Sequence, residues 1–208
     1  MEDCFMMRVL PYVLLGYLSG SLLWAKFYGR LVAKTDITAL SPDGNPGASN
    51  AFQFGGFWCG CLTLCCDILK GFLPVMLYRR GAVDFPAIGL AFVMAAPVVG
   101  HAYSIFHRFR GGKGIAVSFG CLLGLVPEFR PVLVLAVVFV VFSVIIMISP
   151  HYYRTLATYV VAVPVLFQMV PLWPIRAGFL LIAGTVIFKL LCSKEEKEKL
   201  EVKLGWKS

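Results

Sequence analysis

Charge is scarce in this 208-residue chain: 14% of its residues are Asp, Glu, Lys or Arg, and 59% are apolar. An ordinary soluble domain carries about 25% charged and about 45–50% apolar residues. A soluble core is therefore excluded as the main architecture, and an integral membrane protein is expected. Acid is scarcer still, with 11 Asp and Glu against 19 Lys and Arg, for a net charge of +8. The cations sit between apolar runs and at the tail, which suits anionic lipid headgroups and phosphorylated ligands, not nucleic acid. Other absences narrow the chemistry. There is no Gly-x-x-x-x-Gly-Lys-Ser/Thr loop, no visible Ser-His-Asp arrangement and no internal repeat. The seven cysteines are odd in number and mostly fall inside apolar runs. Cys59, Cys61, Cys65 and Cys66 lack a neighbouring His, and residues one or two apart on a helix do not share a face. They read as small apolar residues, and neither metal nor cofactor is expected. Glu2, Asp3 and the lack of a small-residue cleavage site argue for a retained first span.

What the chain does have is long apolar runs. A membrane-crossing helix needs about 20 residues, and runs at 9–30, 57–78, 85–106, 114–126, 132–148, 155–170 and 177–191 predict seven spans in one domain. The expected fold is an all-α integral membrane protein. Lys26, Arg30 and Lys34 follow the first run, so its end is expected inside and the N-terminus outside. Loops 34–54, 107–113 and 151–154 and the tail 192–208 then face the cytoplasm. Gly16, Gly20 and Ser21 give the first span a small-residue face for close packing. Run 114–126 is short, so a tilted or incomplete span is expected. Run 132–148 is nearly pure Val, Ile and Phe and is expected to face lipid. The tail, rich in Lys and Glu, reads as a solvated helix with i,i+3 and i,i+4 charge pairs.

Two loops and one span carry candidate chemistry. His101 to Ser118 packs His101, His107, Arg108, Arg110 and Lys113 around Gly111, Gly112 and Gly114, just before an apolar helical run. A glycine turn opening a helix aims backbone N–H groups and the positive helix end at one spot. Lys113 adds a full charge there, so the stretch reads as a phosphate cradle. Arg108 and Arg110 by themselves fit a loop that merely fixes topology, the glycines a tight interhelical turn, and His101 a packed histidine. The second loop, Ser41 to Asn50, holds Pro42, Gly44, Pro46 and Gly47, which forbid a regular helix. Ser49 or Asn50 fits as the cap of the next span. Within that span Asp67 and Lys70 stand three apart on one face. They form either a structural ion pair or part of a site lining, since intramembrane charges are costly and are usually paired or functional.

Three motifs resemble one family. Gly100-His101-x-x-Ser104-x-Phe106-x-x-Phe109-Arg110-Gly111-Gly112-Lys113-Gly114 resembles the second signature of the acyl-phosphate:glycerol-3-phosphate acyltransferases, the PlsY family. Gly44-Asn45-Pro46-Gly47-Ala48-Ser49-Asn50 resembles its first signature. Asp67-Ile-Leu-Lys70-Gly71-Phe-Leu73-Pro74-Val75 matches its Asp-x-x-Lys-Gly-x-Leu-Pro-Val pattern. The resemblance implies a multi-pass enzyme of the cell (inner) membrane, its site facing the cytoplasm, that moves a fatty acyl group from acyl phosphate to the 1-hydroxyl of glycerol 3-phosphate in phospholipid synthesis. It implies acyl phosphate, glycerol 3-phosphate or another small acceptor, and membrane lipids as partners. Lys113, His101 and Asn45 are the implied catalytic set, with Lys113 a charge clamp on either phosphate, and Asp43, which stands in the same loop, is expected to act with them. Gly111, Gly112 and Gly114 would hold the acyl-phosphate phosphate. His101 and Ser104 would support the loop or reach a substrate. Asn45, Ser49 and Asn50 would line the acceptor pocket, and Arg110, Gly47, Asp67 and Lys70 complete the binding set. The chain has no His-x4-Asp acyltransferase motif.

The sequence departs from the family pattern in three places. Thr38 follows Asp36-Ile37 where an Arg is usual. Asp43 replaces the Ser of Gly-Ser-Gly-Asn, in a loop one residue longer. The tail lacks the His and Asn of the third signature. An ionised Asp43 within about 4 Å of a phosphate would repel it by roughly 1–4 kcal/mol. The alternative reading is therefore a paralogue that binds acyl phosphate or lipid and either takes another acceptor or has no turnover. A small transporter, suggested by Asp67 and Lys70, is disfavoured by the lack of a repeated half-structure.

Overall fold

The structure is a computed structural model that describes residues 2–81, 87–193 and 199–205, with side chains described from residue 7 onward. Its helices are α1 (Glu2–Gly20), α2 (Trp24–Leu31), α3 (Ile37–Leu40), α4 (Ala48–Gly81), α5 (Ala87–Ala102), α6 (Ile115–Leu123), α7 (Arg130–Val140), α8 (His151–Met169) and α9 (Trp173–Leu191). Strands β1 (Ile146–Ser149) and β2 (Glu201–Leu204) pair antiparallel, Ile146 opposite Leu204 and Ser149 opposite Glu201.

Four stretches are long and apolar enough to cross a membrane: Met7–Leu31, Ala48–Gly81, Ala87–His107 and Trp173–Leu191. The third is the hub. It is 67% buried, against 33–39% for the other three, and α5 packs on α1, α9, α4 and α6. Small residues make that closeness possible. A Cβ on Gly20 would lie 2.2 Å from the Pro97 carbonyl oxygen, and one on Gly100 would lie 2.2 Å from that of Tyr17. The small face expected on the first span therefore exists, and it meets α5. Ser21 joins the same seam by donating its hydroxyl to the Tyr17 and Gly100 carbonyls. On the opposite side the stacked rings of Tyr159 and Phe179, both fully buried, tie α8 to α9.

Segment 114–126 holds only the nine-residue α6, roughly 14 Å at about 1.5 Å per residue, shorter than a hydrocarbon core of about 30 Å, the incomplete span expected from its short run. Other expectations are corrected. Run 132–148 is not one continuous helix. It turns π-helical over Val141–Ile145 and ends as β1, where the β-branched Ile146 and Ile148 suit an extended backbone. The tail is not helical over 199–205. Glu201 and Lys203 alternate there with Val202 and Leu204, the two-residue period of a strand, and β2 pairs with β1. The described architecture is thus mostly helical with one small ribbon, not all-α. Tail residues 194–198, together with Asp84 and Phe85 of the expected outer turn and third span, lie outside the described residues. Finally, helix starts already at Ala48 and kinks at Gly56, whose φ is +80°, so Ser49 and Asn50 lie inside the first turn and do not cap a span at 57.

Candidate functional site

One cavity of about 910 Å³ collects the sequence motifs. The first loop supplies Asp43, Asn45, Gly47, Ser49 and Asn50, α4 supplies Asp67, α5 supplies His101, and the second loop supplies Lys113 and Gly114. Leu64, Phe119 and Phe139 give it an apolar wall. Three helix N-termini open into it: α4 with Ala48 and Ser49, α6 with Ile115 and Ala116, and α8 with His151 and Tyr152. None of the three has an acidic residue in its first turn, and neither α6 nor α8 has a side-chain cap. Their leading N–H groups and positive dipole ends are therefore directed at a shared space, an arrangement that favours anions.

The glycine cradle is held by α5. Gly112 N–H donates to the His101 carbonyl at 3.0 Å. A Cβ on Gly111 would fall 1.9 Å from that oxygen, and one on Gly112 would fall 2.3 Å from His101 Nε2. Gly114, with φ +82°, turns the chain into α6. Such a φ is strained for residues bearing a Cβ. Asn45 bridges the two loops, its side-chain oxygen accepting from the Lys113 N–H at 3.2 Å.

Asp43 occupies the middle of the arrangement. One carboxylate oxygen lies 3.0 Å from Lys113 Nζ. The other accepts from the Asn50 amide at 2.7 Å and from the Asn45 N–H at 3.1 Å. Asn50 also donates to the Asn45 carbonyl at 2.9 Å. The carboxylate thus sits on Lys113, the cationic side chain of the glycine turn.

Behind the cavity runs a buried chain. Lys70 Nζ lies 2.7 Å from Asp67 Oδ1, 2.7 Å from the Leu22 carbonyl oxygen and 2.8 Å from His101 Nδ1. Asp67, Lys70 and His101 are at most 5% exposed. Removing one member of such a buried pair strands the other charge, at a cost of about 3–5 kcal/mol. Asp67 and His101 reach the cavity lining and Lys70 does not. The ion-pair and lining readings of Asp67 and Lys70 are therefore compatible.

Besides Lys70, four candidates are outside the cavity lining: Gly111 and Gly112, which pack against His101 at the end of α5, and Ser104 and Arg110. Ser104 is fully buried, donates to the Ser21 carbonyl at 2.6 Å and lies 3.0 Å from His107 Nδ1. It supports the loop and does not line the cavity. Arg110 is exposed and likewise outside the lining. At the position where the family's Arg is missing, Thr38 donates its hydroxyl and its N–H to Asp36, at 2.7 and 3.0 Å. Those bonds, the hydroxyl one first, hold the Asp36 carboxyl below the usual carboxylate range.

The sequence reading missed His151, Tyr152 and Gln53, all in the cavity wall. The only signal for His151 was a histidine in a loop expected on the same side as both signature loops. Burial, with Lys113 and Arg154 nearby, pushes its imidazole down to about 4, so it is neutral at pH 7. Thr155 Oγ1 donates its proton to the His151 carbonyl at 2.9 Å and lies 3.1 Å from Nδ1. Nδ1 must then donate to Thr155, which leaves the lone pair on Nε2. The β1–β2 ribbon ends at Ser149 and Glu201, immediately before Pro150 and His151, so the tail braces this wall.

Comparison with known proteins gives the same direction. A family model described as glycerol-3-phosphate acyltransferase matches residues 10–198. The chain is 42% identical over 112 residues to the glycerol-3-phosphate acyltransferase of Pseudomonas putida (strain GB-1), covering 54% of this chain and 58% of that protein. It is 40% identical over 116 residues to that of Myxococcus xanthus (strain DK1622), covering 56% and 59%. It thus spans just under three fifths of the length of these curated relatives. Among solved structures it resembles PlsY (YgiH), an integral membrane glycerol 3-phosphate acyltransferase, in the glycerol 3-phosphate form, with a TM-score of 0.71, 27% identity and 87% of each chain covered. The lysophosphatidic acid form of that protein gives the same TM-score and coverage at 25% identity.

Proposed function

This chain belongs to the glycerol-3-phosphate acyltransferase family, and from that membership we propose that it transfers a fatty acyl group from acyl phosphate to the 1-hydroxyl of glycerol 3-phosphate. The observation that carries the reading is the convergence of three helix N-termini and Lys113 on one cavity with an apolar wall. Both substrates are anionic at one end, and the donor also brings an acyl chain. In the reaction the hydroxyl oxygen attacks the acyl carbon, the bond from that carbon to the phosphate oxygen breaks, and the hydroxyl proton ends on the released phosphate. The mixed anhydride is already activated, so the protein's task is to hold two phosphates and aim the hydroxyl. The uncapped N–H groups at the start of α6 and the Lys113 ammonium stabilise charge on the leaving phosphate without a covalent nucleophile. Asn45 and Asn50 shape the acceptor side, with Asp43 between them.

The same reading places seven membrane segments with the N-terminus outside and the cavity facing the cytoplasm of a cell membrane. It is supported by four spans of sufficient length and by a Lys- and Arg-rich set of loops around the cavity. The decisive assay is phosphate release from palmitoyl phosphate by the purified full chain, with and without glycerol 3-phosphate. Release that depends on glycerol 3-phosphate is expected. Binding of palmitoyl phosphate with no release, whatever the acceptor, would leave a non-catalytic lipid-phosphate binder.

A second reading, an altered acceptor, is favoured by one observation: the Asp43 carboxylate lies 3.0 Å from Lys113. An anionic acceptor must displace that carboxylate, whereas an acceptor bearing a cationic group would be attracted to it. Asp43→Ser is expected to lower the KM for glycerol 3-phosphate by roughly tenfold, in line with relief of a repulsion of about 1–4 kcal/mol. An unchanged KM and unchanged acceptor preference would show that Asp43 does not select the acceptor.

A further inference from the structure

We propose that His101 is a hydrogen-bond donor to a substrate phosphate oxygen in the glycine cradle, and that Asp67 and Lys70 are positioning residues that lock its imidazole with the proton on Nε2. The inference rests on the acyltransferase reading for its kinetic consequence, while the tautomer rests on the geometry around Lys70, taken as an ammonium paired with Asp67. An ammonium has three donors and no acceptor. Lys70 Nζ is ion-paired with Asp67 Oδ1 at 2.7 Å, donates to the Leu22 carbonyl oxygen at 2.7 Å and lies 2.8 Å from His101 Nδ1. Against an ammonium, Nδ1 can only accept, so it carries the lone pair and the ring proton sits on Nε2. Asp67 is the anionic partner of Lys70 in this buried place, at 2.7 Å, and without it the ammonium would lose that partner.

The other edge of the ring faces the site. His101 is 2% exposed and lines the cavity. Its Nε2 lies so close to Gly112 that a Cβ there would stand 2.3 Å away. Glycine at this position is what brings the imidazole edge up to the cradle. Among the described residues, every hydrogen bond of the His101 side chain runs through Nδ1. The Nε2–H, with no protein partner among the described residues, is therefore left for a ligand in the cavity that His101 lines, and fixing the donor beforehand is what makes such a group effective in catalysis. His151, across the cavity, carries the opposite tautomer, with Nε2 as acceptor. The two rings thus present one donor and one acceptor to the same space.

The test reads the tautomer directly. The chain has 3 histidines, so 15N-histidine NMR of the full-length protein in lipid nanodiscs resolves each, with His101→Gln identifying the signal. His101 is expected to show protonated Nε2 and unprotonated Nδ1 across pH 6–8, and its Nε2–H signal is expected to move on titration with inorganic phosphate. His151 is expected to show the reverse pattern in the same spectrum. Lys70→Met is expected to release the His101 ring to a mixture of tautomers. Should that variant fail to fold, the wild-type spectrum decides by itself. In turnover, His101→Leu is expected to lower kcat about a hundredfold, the effect of one lost oxyanion donor. His101→Gln, whose amide can offer an N–H near the Nε2 position, is expected to recover about tenfold of that loss. A proton on Nδ1 in the wild type, or Gln no better than Leu, overturns the proposal. A wild type that releases no phosphate with any acceptor, yet shows Nε2–H and its phosphate response, instead removes the acyltransferase reading and leaves the donor standing.

Discussion

Lys113→Ala is expected to abolish acyl transfer for practical purposes, lowering kcat for palmitoyl phosphate on the order of 10²- to 10³-fold, the scale seen when a group that stabilises developing charge is removed. Lys113 is the cation of the cradle. Its backbone N–H is fixed by Asn45 at 3.2 Å, and its ammonium lies 3.0 Å from Asp43 in a largely buried setting. Truncation removes the clamp on the leaving phosphate and also strands Asp43 as a negative charge inside the anion seat. Both effects act in the same direction. The double variant Lys113→Ala with Asp43→Ser separates them. If repulsion by the stranded carboxylate contributes, the double variant recovers part of the loss, and the coupling between the two sites is non-additive. Steady-state phosphate release, with circular dichroism to establish that the helices persist, measures this. A Lys113→Ala enzyme within threefold of wild type would exclude Lys113 from the chemistry.

Gly111→Ala is expected to be nearly as damaging, although it adds only one methyl group. That methyl would stand 1.9 Å from the His101 carbonyl oxygen and 3.0 Å from the Ala102 carbonyl oxygen, both backbone atoms at the end of α5. Neither neighbour is a flexible side chain that can swing aside, so the loop itself must lift. Lifting it breaks the Gly112 N–H bond to His101 and carries Lys113 away from the three helix N-termini. Overpacking of this kind costs about 1–3 kcal/mol in stability. The larger effect is on activity, at least a hundredfold in kcat/KM, because misplacement by about 1 Å can cost on the order of 10²-fold. Gly184→Ala is the control: a Cβ there meets nothing within 4 Å, and within a helix it is expected to be neutral or slightly stabilising. Thermal unfolding and phosphate release on the pair separate the two outcomes. Gly111→Ala with wild-type activity would show that the cradle need not touch α5.

The motifs and their chemistry were legible in the chain because they are local. Scarce charge and long apolar runs imply membrane segments wherever those runs occur. A glycine-flanked lysine before an apolar helix implies an anion site, because backbone N–H groups at a helix start need no distant partner. Asp67 and Lys70 could be paired from their spacing alone, since three residues on a helix bring two side chains to one face. Resemblance then supplied the family, and the match to residues 10–198 agrees with it.

What the sequence could not decide depends on which ends of which helices meet. The third N-terminus, that of α8, reaches the cavity only because α8 packs on α7 and α9, so His151 read as an ordinary loop residue. Helix lengths were misjudged where hydropathy was uniform. Run 132–148 looks like one span, but its β-branched end finds a partner strand in the tail, more than fifty residues later. The partner of Asp43 was equally hidden, since its carboxylate and the Lys113 ammonium are seventy positions apart and 3.0 Å away in space. Sequence therefore determined which groups carry charge and where backbone donors are exposed. Only tertiary packing decided which of those groups face one another, because that depends on close contacts such as Gly20 against Pro97 and Gly111 against His101, where a missing Cβ lets two backbones touch.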